Sequence, residues 1–263
     1  MPLSAIMSDK GVYSMAYKLY HKDADYSYVL GPFPSFECLK WRSDLVRDIF
    51  YADNFNEQAK LLGMAKALGL KAELAPKLLE KLARGQKEPY VGVIYDKENF
   101  YRALSPESPH LVLHEIRNSG NLGTILRACL AFGIHDIALI GETVSIFLPE
   151  IARASMGAIF ALNIAYFPDL ASYISAYGKD SRQLYTFCLS KRALSLQAAL
   201  TKPLKNQHFS LIFGNEGQGL PSVCEQAPFQ PIMIEQSKDV DSLNLAIACS
   251  LAMYEFQRKV LSD

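Results

Sequence analysis

Disulfide and metal chemistry have little to work with in this chain. Its 263 residues hold five cysteines, Cys38, Cys129, Cys188, Cys224 and Cys249. They are odd in number, far apart and never spaced C-x-x-C, which excludes a disulfide framework and a cysteine zinc site and points to a reducing, cytoplasmic setting. The five histidines form no H-E-x-x-H. His110 and His114 share one side of a predicted strand without an accompanying carboxylate or cysteine cluster, so no metal is expected. Net charge is missing too: 27 Lys and Arg face 27 Asp and Glu. That excludes a whole-chain polycation and leaves room only for a local basic face. Long apolar runs are absent. The strongest, Leu245 to Met253, is far short of the roughly twenty residues a membrane span requires. Met1 to Lys18 mixes charged and apolar residues, so no secretory signal is expected. There is no fixed repeat and no low-complexity tract.

What is present is a core-forming composition, 50% hydrophobic and 21% charged, of a length that gives one or two domains at about 150 residues each. Residues 1–11 read as a loose leader. Tyr26 to Leu30 predicts a strand, Ser35 an N-cap for the segment to Phe50, Asn56 to Leu68 a helix stopped by Gly69, Ala75 to Leu82 a helix, and Tyr90 to Tyr95 a strand. Lys97 to Pro109 is polar, carries two prolines and reads as a linker. Beyond it strands and helices alternate. Strands are predicted at 111–116, 137–140, 162–167, 184–189, 210–213 and 231–235. Helices are predicted at 122–132, 149–160, 170–177, 195–200 and 242–261. This alternation argues for a mostly parallel sheet covered on both faces. The expected division is therefore 1–105, a small α/β domain with its linker, and 106–263. Residues 1–105 hold 15 Lys/Arg against 13 Asp/Glu, and 106–263 hold 12 against 14, so neither part is a polybasic tail.

Three segments of the second part carry the chemistry. In Asn118-Ser-Gly-Asn-Leu-Gly-Thr-Ile-Leu-Arg127, a Gly-Asn-x-Gly turn feeds a helix whose free N–H groups can hold an anion, with Arg127 two turns in near the face of Asn121. Read alone it is equally an N-cap, two turn glycines and a solvated arginine. In Leu211-Ile-Phe-Gly-Asn-Glu-Gly-Gln-Gly-Leu220, a buried strand ends in a three-glycine loop, at the kind of strand end where open α/β sheets bind ligands. Its G-x-x-G-x-G order and late position count against a dinucleotide fingerprint. In the third, a strand and loop lead from Ile232 through Ser242-Leu-Asn244 into a helix apolar on nearly every side. Such a helix needs burial on more than one face, in a core or on a second subunit.

Together and in this order, the three resemble the motifs of the SpoU/TrmH branch of the SPOUT methyltransferases. Asn121, Gly123 and Arg127 match its N-x-G-x-x-x-R, Gly214-Asn-Glu216 with Gly219-Leu220 its second motif, and Ser242-Leu-Asn244 its third. Arg153-Ala-Ser-Met-Gly-Ala158 looks like the helix between the first two. The resemblance covers residues 109–259. More weakly, residues 15–100 resemble the family's N-terminal substrate-binding domain. It implies a C-terminal trefoil knot, a rarity among folds, and a homodimer joined through the knotted domain with the cofactor pocket at the interface. The implied activity is transfer of a methyl group from S-adenosylmethionine to a ribose 2′-hydroxyl of rRNA or tRNA.

The implied catalytic residues are Arg127, Asn121, Glu216 and Asn244, with Glu216 orienting Arg127 or a backbone amide. The implied cofactor contacts are Phe213, Gly214, Asn215, Gly219, Ile234, Ser242 and Leu243. The chain departs from the pattern at Glu235, Gln236 and Lys238, which put charge where the family's third loop is apolar and flexible. It departs again at Asn118-Ser-Gly120 and at Asn163. The first part is rich in aromatics (among them Tyr13, Phe33 and Trp41), more of them expected in a core than stacked on bases. Lys18, Lys22, Lys40, Arg42 and Arg47 are candidates for a phosphate-contacting face. A non-catalytic RNA-binding or assembly factor retaining the fold is the competing expectation, and a nucleotide-dependent oxidoreductase a weaker one.

Overall fold

A computed structural model describes residues 17–84, 89–178, 182–201, 204 and 208–262; the expected leader over 1–11 and Tyr13 lie outside them. The chain divides into two compact units, Met1–Glu98 with Phe147–Pro149, and Asn99–Ile146 with Glu150–Asp263.

The first unit runs β1 (Tyr26–Leu30), α1 (Pro32–Trp41), a 3-10 turn (Ser43–Leu45), β2 (Val46–Tyr51), α2 (Gln58–Ala67), β3 (Ala72–Leu74), α3 (Pro76–Ala83) and β4 (Val91–Asp96). Its sheet has the order β1-β4-β2-β3, with β4 antiparallel to both neighbours and β3 parallel to β2. Leu78, Leu79 and Leu82 form one stripe of α3 and pack on Phe50 and Ile94. The expected Ser35 cap is not formed. Pro32, with its fixed φ, starts α1 after Gly31 at φ 97°, and Ser35 is buried inside the helix. The segment expected to run on to Phe50 breaks at Arg42, where φ is −139°, and Val46–Tyr51 extends as a strand.

Two of the five proposed phosphate-contacting cations are occupied. Arg42 is 2% exposed and donates to both Asp44 carboxylate oxygens, at 3.3 and 3.4 Å. Arg47 pairs with Asp25 at 2.9 Å and with Asp96. Lys18, Lys22 and Lys40 are exposed. Among the aromatics, Tyr28, Phe50 and Phe55 are buried, whereas Phe33 and Trp41 are exposed.

The second unit runs β5 (His110–His114), α4 (Ser119–Ala131), β6 (Asp136–Ile140), α5 (Pro149–Ala154), β7 (Asn163–Phe167), α6 (Leu170–Tyr177), β8 (Gln183–Phe187), β9 (Leu194–Ser195), α7 (Leu196–Leu200), β10 (Phe209–Phe213), β11 (Phe229–Met233) and α8 (Leu245–Ser262). Seven strands form one sheet in the order β7-β6-β5-β10-β8-β11-β9, and every neighbouring pair is parallel. One face packs Val112, Ala138, Ile140 and Ile212 with Tyr173 of α6. The other carries α8, whose Phe256 meets the rings of Tyr185 and Phe209 at 4.8 and 5.2 Å. Both faces are thus covered, as a parallel sheet of Val-, Ile- and Leu-rich strands requires.

The stretch expected as a linker packs onto this unit. Arg102 N–H donates to Ile164 O at 2.9 Å, and Leu104 is buried in the core. The helix expected over 149–160 breaks after Ala154. Met156 and Gly157 take positive φ, and a 3-10 turn covers Ala158–Phe160. No helix of the described residues is long and apolar enough to cross a membrane.

Candidate active site

Strand order decides where a site can form. From β5 the chain lays β6 and β7 outward in one direction, then crosses over; β10 returns beside β5, between it and β8. The C-terminal ends of β5 and β10 are therefore neighbours at the point where the winding direction reverses, which is where open parallel sheets leave a crevice.

The segment after β5 enters α4. The turn expected at Gly120-Asn-x-Gly123 is already helix, and Asn118 is the N-cap, its Oδ1 accepting from Asn121 N–H at 2.9 Å. The cap holds Asn121 in the first helical turn, side chain toward the sheet end. Gly123 is buried under α5, where a Cβ would sit 2.5 Å from the Ala154 Cβ, so only glycine permits this approach.

The segment after β10 closes on itself. Asn215 and Gly219 exchange backbone hydrogen bonds of 3.2 and 2.9 Å. Asn215 Oδ1 accepts from the N–H groups of Gly217 and Gln218 at 2.8 and 3.1 Å, and its Nδ2 donates to Glu115 O at 2.8 Å. Gly219 has φ +69°, and a Cβ on Gly214 would collide with the Gly219 backbone. The loop is a tight ring that presents Glu216 outward.

The segment after β11 reaches α8 through Asn244, whose Oδ1 caps the helix by accepting from Ala246 and Ile247 N–H at 2.9 and 3.4 Å. The expected start at Ser242 lies before the first helical residue, Leu245.

The three segments meet in one directional hydrogen-bond chain. Asn244 Nδ2 donates to Asn121 Oδ1 at 3.0 Å, and Asn121 Nδ2 donates to Glu216 Oε1 at 3.2 Å. Arg117 N–H donates to Glu216 Oε2 at 3.5 Å. Each orientation follows from the next. A carboxylate only accepts, so the Asn121 amide nitrogen faces Glu216 and its oxygen faces Asn244, whose own oxygen is left to cap α8. Positions 216 and 244 are exposed and 121 is half-buried, so the chain lies open at the rim of a cleft.

That cleft has a volume of about 670 Å³ and is lined by Asn121, Phe213, Gly214, Asn215, Glu216, Gly219, Ile234, Ser242, Leu243 and Asn244. Phe187, Cys188, Leu189, Gln236 and Asp241 line it too. The rings of Phe187 and Phe213 stack at 4.3 Å with 8° between their planes, giving a flat apolar wall. Burial pushes the Cys188 thiol up, with Glu225 adding to the effect. Nothing in the sequence marks Phe187 to Leu189, because the apolar end of a strand carries no signal that separates it from core.

Arg127 is the exception. It is exposed and lines no part of this cleft. Six helical residues past Asn121 places it about 120° around α4 and ~9 Å along it, not on the same face. Glu216 accordingly binds the Asn121 amide and the Arg117 backbone rather than Arg127. His110, noted for its spacing to His114, is fully buried and held between Tyr173 OH at 2.9 Å and Ser105 O at 2.7 Å. Among the described residues no group of three or more His, Cys, Asp or Glu could hold a metal.

Residues 108–254 match the SpoU rRNA Methylase family. The chain is 28% identical over 183 residues to an uncharacterised tRNA/rRNA methyltransferase of Synechocystis, covering 69% of this chain and 65% of that protein. It is 23% identical over 222 residues to the 23S rRNA (guanosine-2′-O-)-methyltransferase RlmB of Coxiella burnetii, covering 80% and 87%. A crystal structure of an AdoMet-bound rRNA methyltransferase from Sinorhizobium meliloti superposes with a TM-score of 0.74 at 26% identity, over 89% of this chain and 87% of that one. The match spans more than half the chain and contains all three converging segments, and so this chain belongs to the SpoU rRNA methylase family.

Proposed function

We propose that the chain methylates a ribose 2′-hydroxyl of ribosomal or transfer RNA, with S-adenosylmethionine as the methyl donor. The observation that carries this reading is the Asn244–Asn121–Glu216 chain, assembled from three distant segments at the rim of one cleft. Family membership and the activity of the Coxiella relative support the reaction type.

The cleft fits such a cofactor. Its volume falls within the ~300–1,000 Å³ of small-molecule sites. The stacked Phe187 and Phe213 offer an apolar wall to a purine, and the Gly214–Gly219 ring lets backbone approach closely. Asp241 and Glu216 complement a cationic ligand. Phe213, Gly214, Asn215, Gly219, Ile234, Ser242 and Leu243 would hold it. Bound there, S-adenosylmethionine supplies an electrophilic methyl on a sulfonium.

The chain's own task is then to place the ribose hydroxyl and ease its ionisation. Asn121 and Asn244 present amide groups locked by Glu216 and by the α8 cap. Arg127 holds the substrate phosphate and stabilises the developing alkoxide. A guanidinium carries no lone pair free to take a proton, so it is no base, and the proton passes to a neighbouring group or to the phosphate itself.

Arg127 acts in a homodimer formed through the second unit. On α8, Ile247, Leu251 and Tyr254 are spaced as one helical stripe and are 53%, 42% and 51% exposed. They flank an open groove of about 620 Å³ between α4 and α8. A second copy covers this face, and Arg127, outside its own chain's cleft, serves the partner's. Residues 106–263 form the knotted methyltransferase domain; the return of β10 between β5 and β8 supports the knot. The first unit forms the RNA-binding domain. Five free cysteines, four of them buried, suit a cytoplasmic protein.

The test is direct. Unmodified rRNA and tRNA transcripts are incubated with the protein and labelled S-adenosylmethionine, digested and resolved by mass spectrometry. A 2′-O-methylnucleoside that disappears with Arg127→Ala supports the reading. Cofactor binding without any ribose methylation on either RNA class favours the non-catalytic alternative.

A further inference from the structure

Arg117 sits where β5 turns into α4, and nothing in the reaction outlined so far uses its side chain. Its backbone is fixed on all sides. Glu115 N–H donates to Ile140 O at 2.9 Å, Ile116 is fully buried and its carbonyl accepts from Val144 N–H at 2.8 Å, and Arg117 N–H donates to Glu216. One carboxylate therefore holds both Asn121 and the Arg117 main chain. The guanidinium, by contrast, is 64% exposed. Its ion-pair partner is Glu142 at 3.6 Å, a carboxylate 90% exposed. A pair so solvated contributes little to stability, so a substrate anion can displace it at small cost. Guanidinium is also the side-chain group best shaped for bidentate phosphate recognition.

We propose that Arg117 is a substrate-positioning residue, and that its guanidinium exchanges Glu142 for a backbone phosphate of the RNA beside the Asn121–Glu216–Asn244 chain. Glu142 acts as a resident competitor that keeps Arg117 extended over the sheet end while no RNA is bound. The inference rests on the RNA-modifying reading of the same site.

The experiment uses the full chain and a fluorescein-labelled 20-nucleotide single-stranded RNA of mixed sequence, titrated by anisotropy at several salt concentrations. Losing one phosphate contact lowers the slope of log K against log salt by about 0.7 on single strands. Arg117→Ala is expected to show that drop with several-fold weaker binding. Arg117→Lys restores the slope but not the whole affinity, and Glu142→Gln binds RNA more tightly than wild type. S-adenosylmethionine binding, followed by calorimetry, stays within twofold in all three, which shows the site intact. An unchanged slope in Arg117→Ala, or Glu142→Gln weakening RNA binding as Arg117→Ala does, overturns the inference and marks the pair as a structural strut. Wild-type protein with no salt-dependent RNA binding at all overturns the RNA-modifying reading itself.

Discussion

The two ends of the seven-stranded sheet carry two polar networks of opposite character. At the N-terminal end, His110, Tyr173, Ser210 and Arg182 are sealed in the core. Tyr173 OH contacts Ser210 Oγ at 2.6 Å, and Arg182 donates to Phe209 O at 2.9 Å and to Pro106 O. Ser105 O can only accept, so His110 carries its proton on Nε2 and accepts a hydrogen bond from the Tyr173 hydroxyl at Nδ1. Burial, with Arg182 nearby, lowers the His110 pKa to about 4, and burial pushes Tyr173 up to about 12. At the C-terminal end, Glu216, Asn121 and Asn244 are also mutually hydrogen-bonded but open to solvent. Of these two networks, the sealed one holds the strongly shifted groups, and the open one lines the cleft. A perturbed histidine or tyrosine therefore marks burial in this fold, and access to a cleft is what separates a site from a brace.

Breaking the open network should cost activity and leave the fold alone. Glu216→Gln removes the only charge in the chain of Asn121 and Asn244, and methyl transfer in single-turnover assays should fall about 10²–10³-fold. The melting temperature should stay within a few degrees, and a large fall would erase the distinction between the two networks.

The sealed network should answer to pH. His110 has a folded pKa near 4, below the ordinary 6.5. The unfolded chain then binds more protons between those values. Its contribution is full above pH 6.5 and is lost as pH falls toward 4, a change on the order of 3 kcal/mol. Urea unfolding at a series of pH values should show this slope, and His110→Gln should flatten it. A smaller effect is expected for Tyr173→Phe, which strips His110 Nδ1 and Ser210 of a partner. It should cost about 1–3 kcal/mol by urea denaturation while the methylation rate per folded molecule holds. A loss of rate without a loss of stability would tie the two ends together.

The readable parts of the fold are those where local chemistry and tertiary structure agree. Helix α6 lies where its residues place it, because Asp169 caps it and accepts from Ser172 N–H at 2.7 Å. Strand β3 and the two-residue β9 escape notice because pairs and triplets have no period. The start of α4 reads locally as a turn, since two glycines lower helix propensity, while the Asn118 cap and the packing of Gly123 on Ala154 override it. Order in the sheet is a long-range property, so the meeting of residues 121, 216 and 244 could be expected only through the resemblance. Arg42 looked like a surface cation, and nothing local announces that it is buried beside Asp44.

The central claim is that the three loops form one crevice that grips a methyl donor, and calorimetric titration with S-adenosylmethionine tests it most directly. Wild-type protein should bind with micromolar or tighter affinity, and Gly214→Ala, whose added methyl collides with the Gly219 backbone, should lose binding while staying folded. No heat from folded wild-type protein at high micromolar cofactor, or unaltered binding by Gly214→Ala, would contradict it.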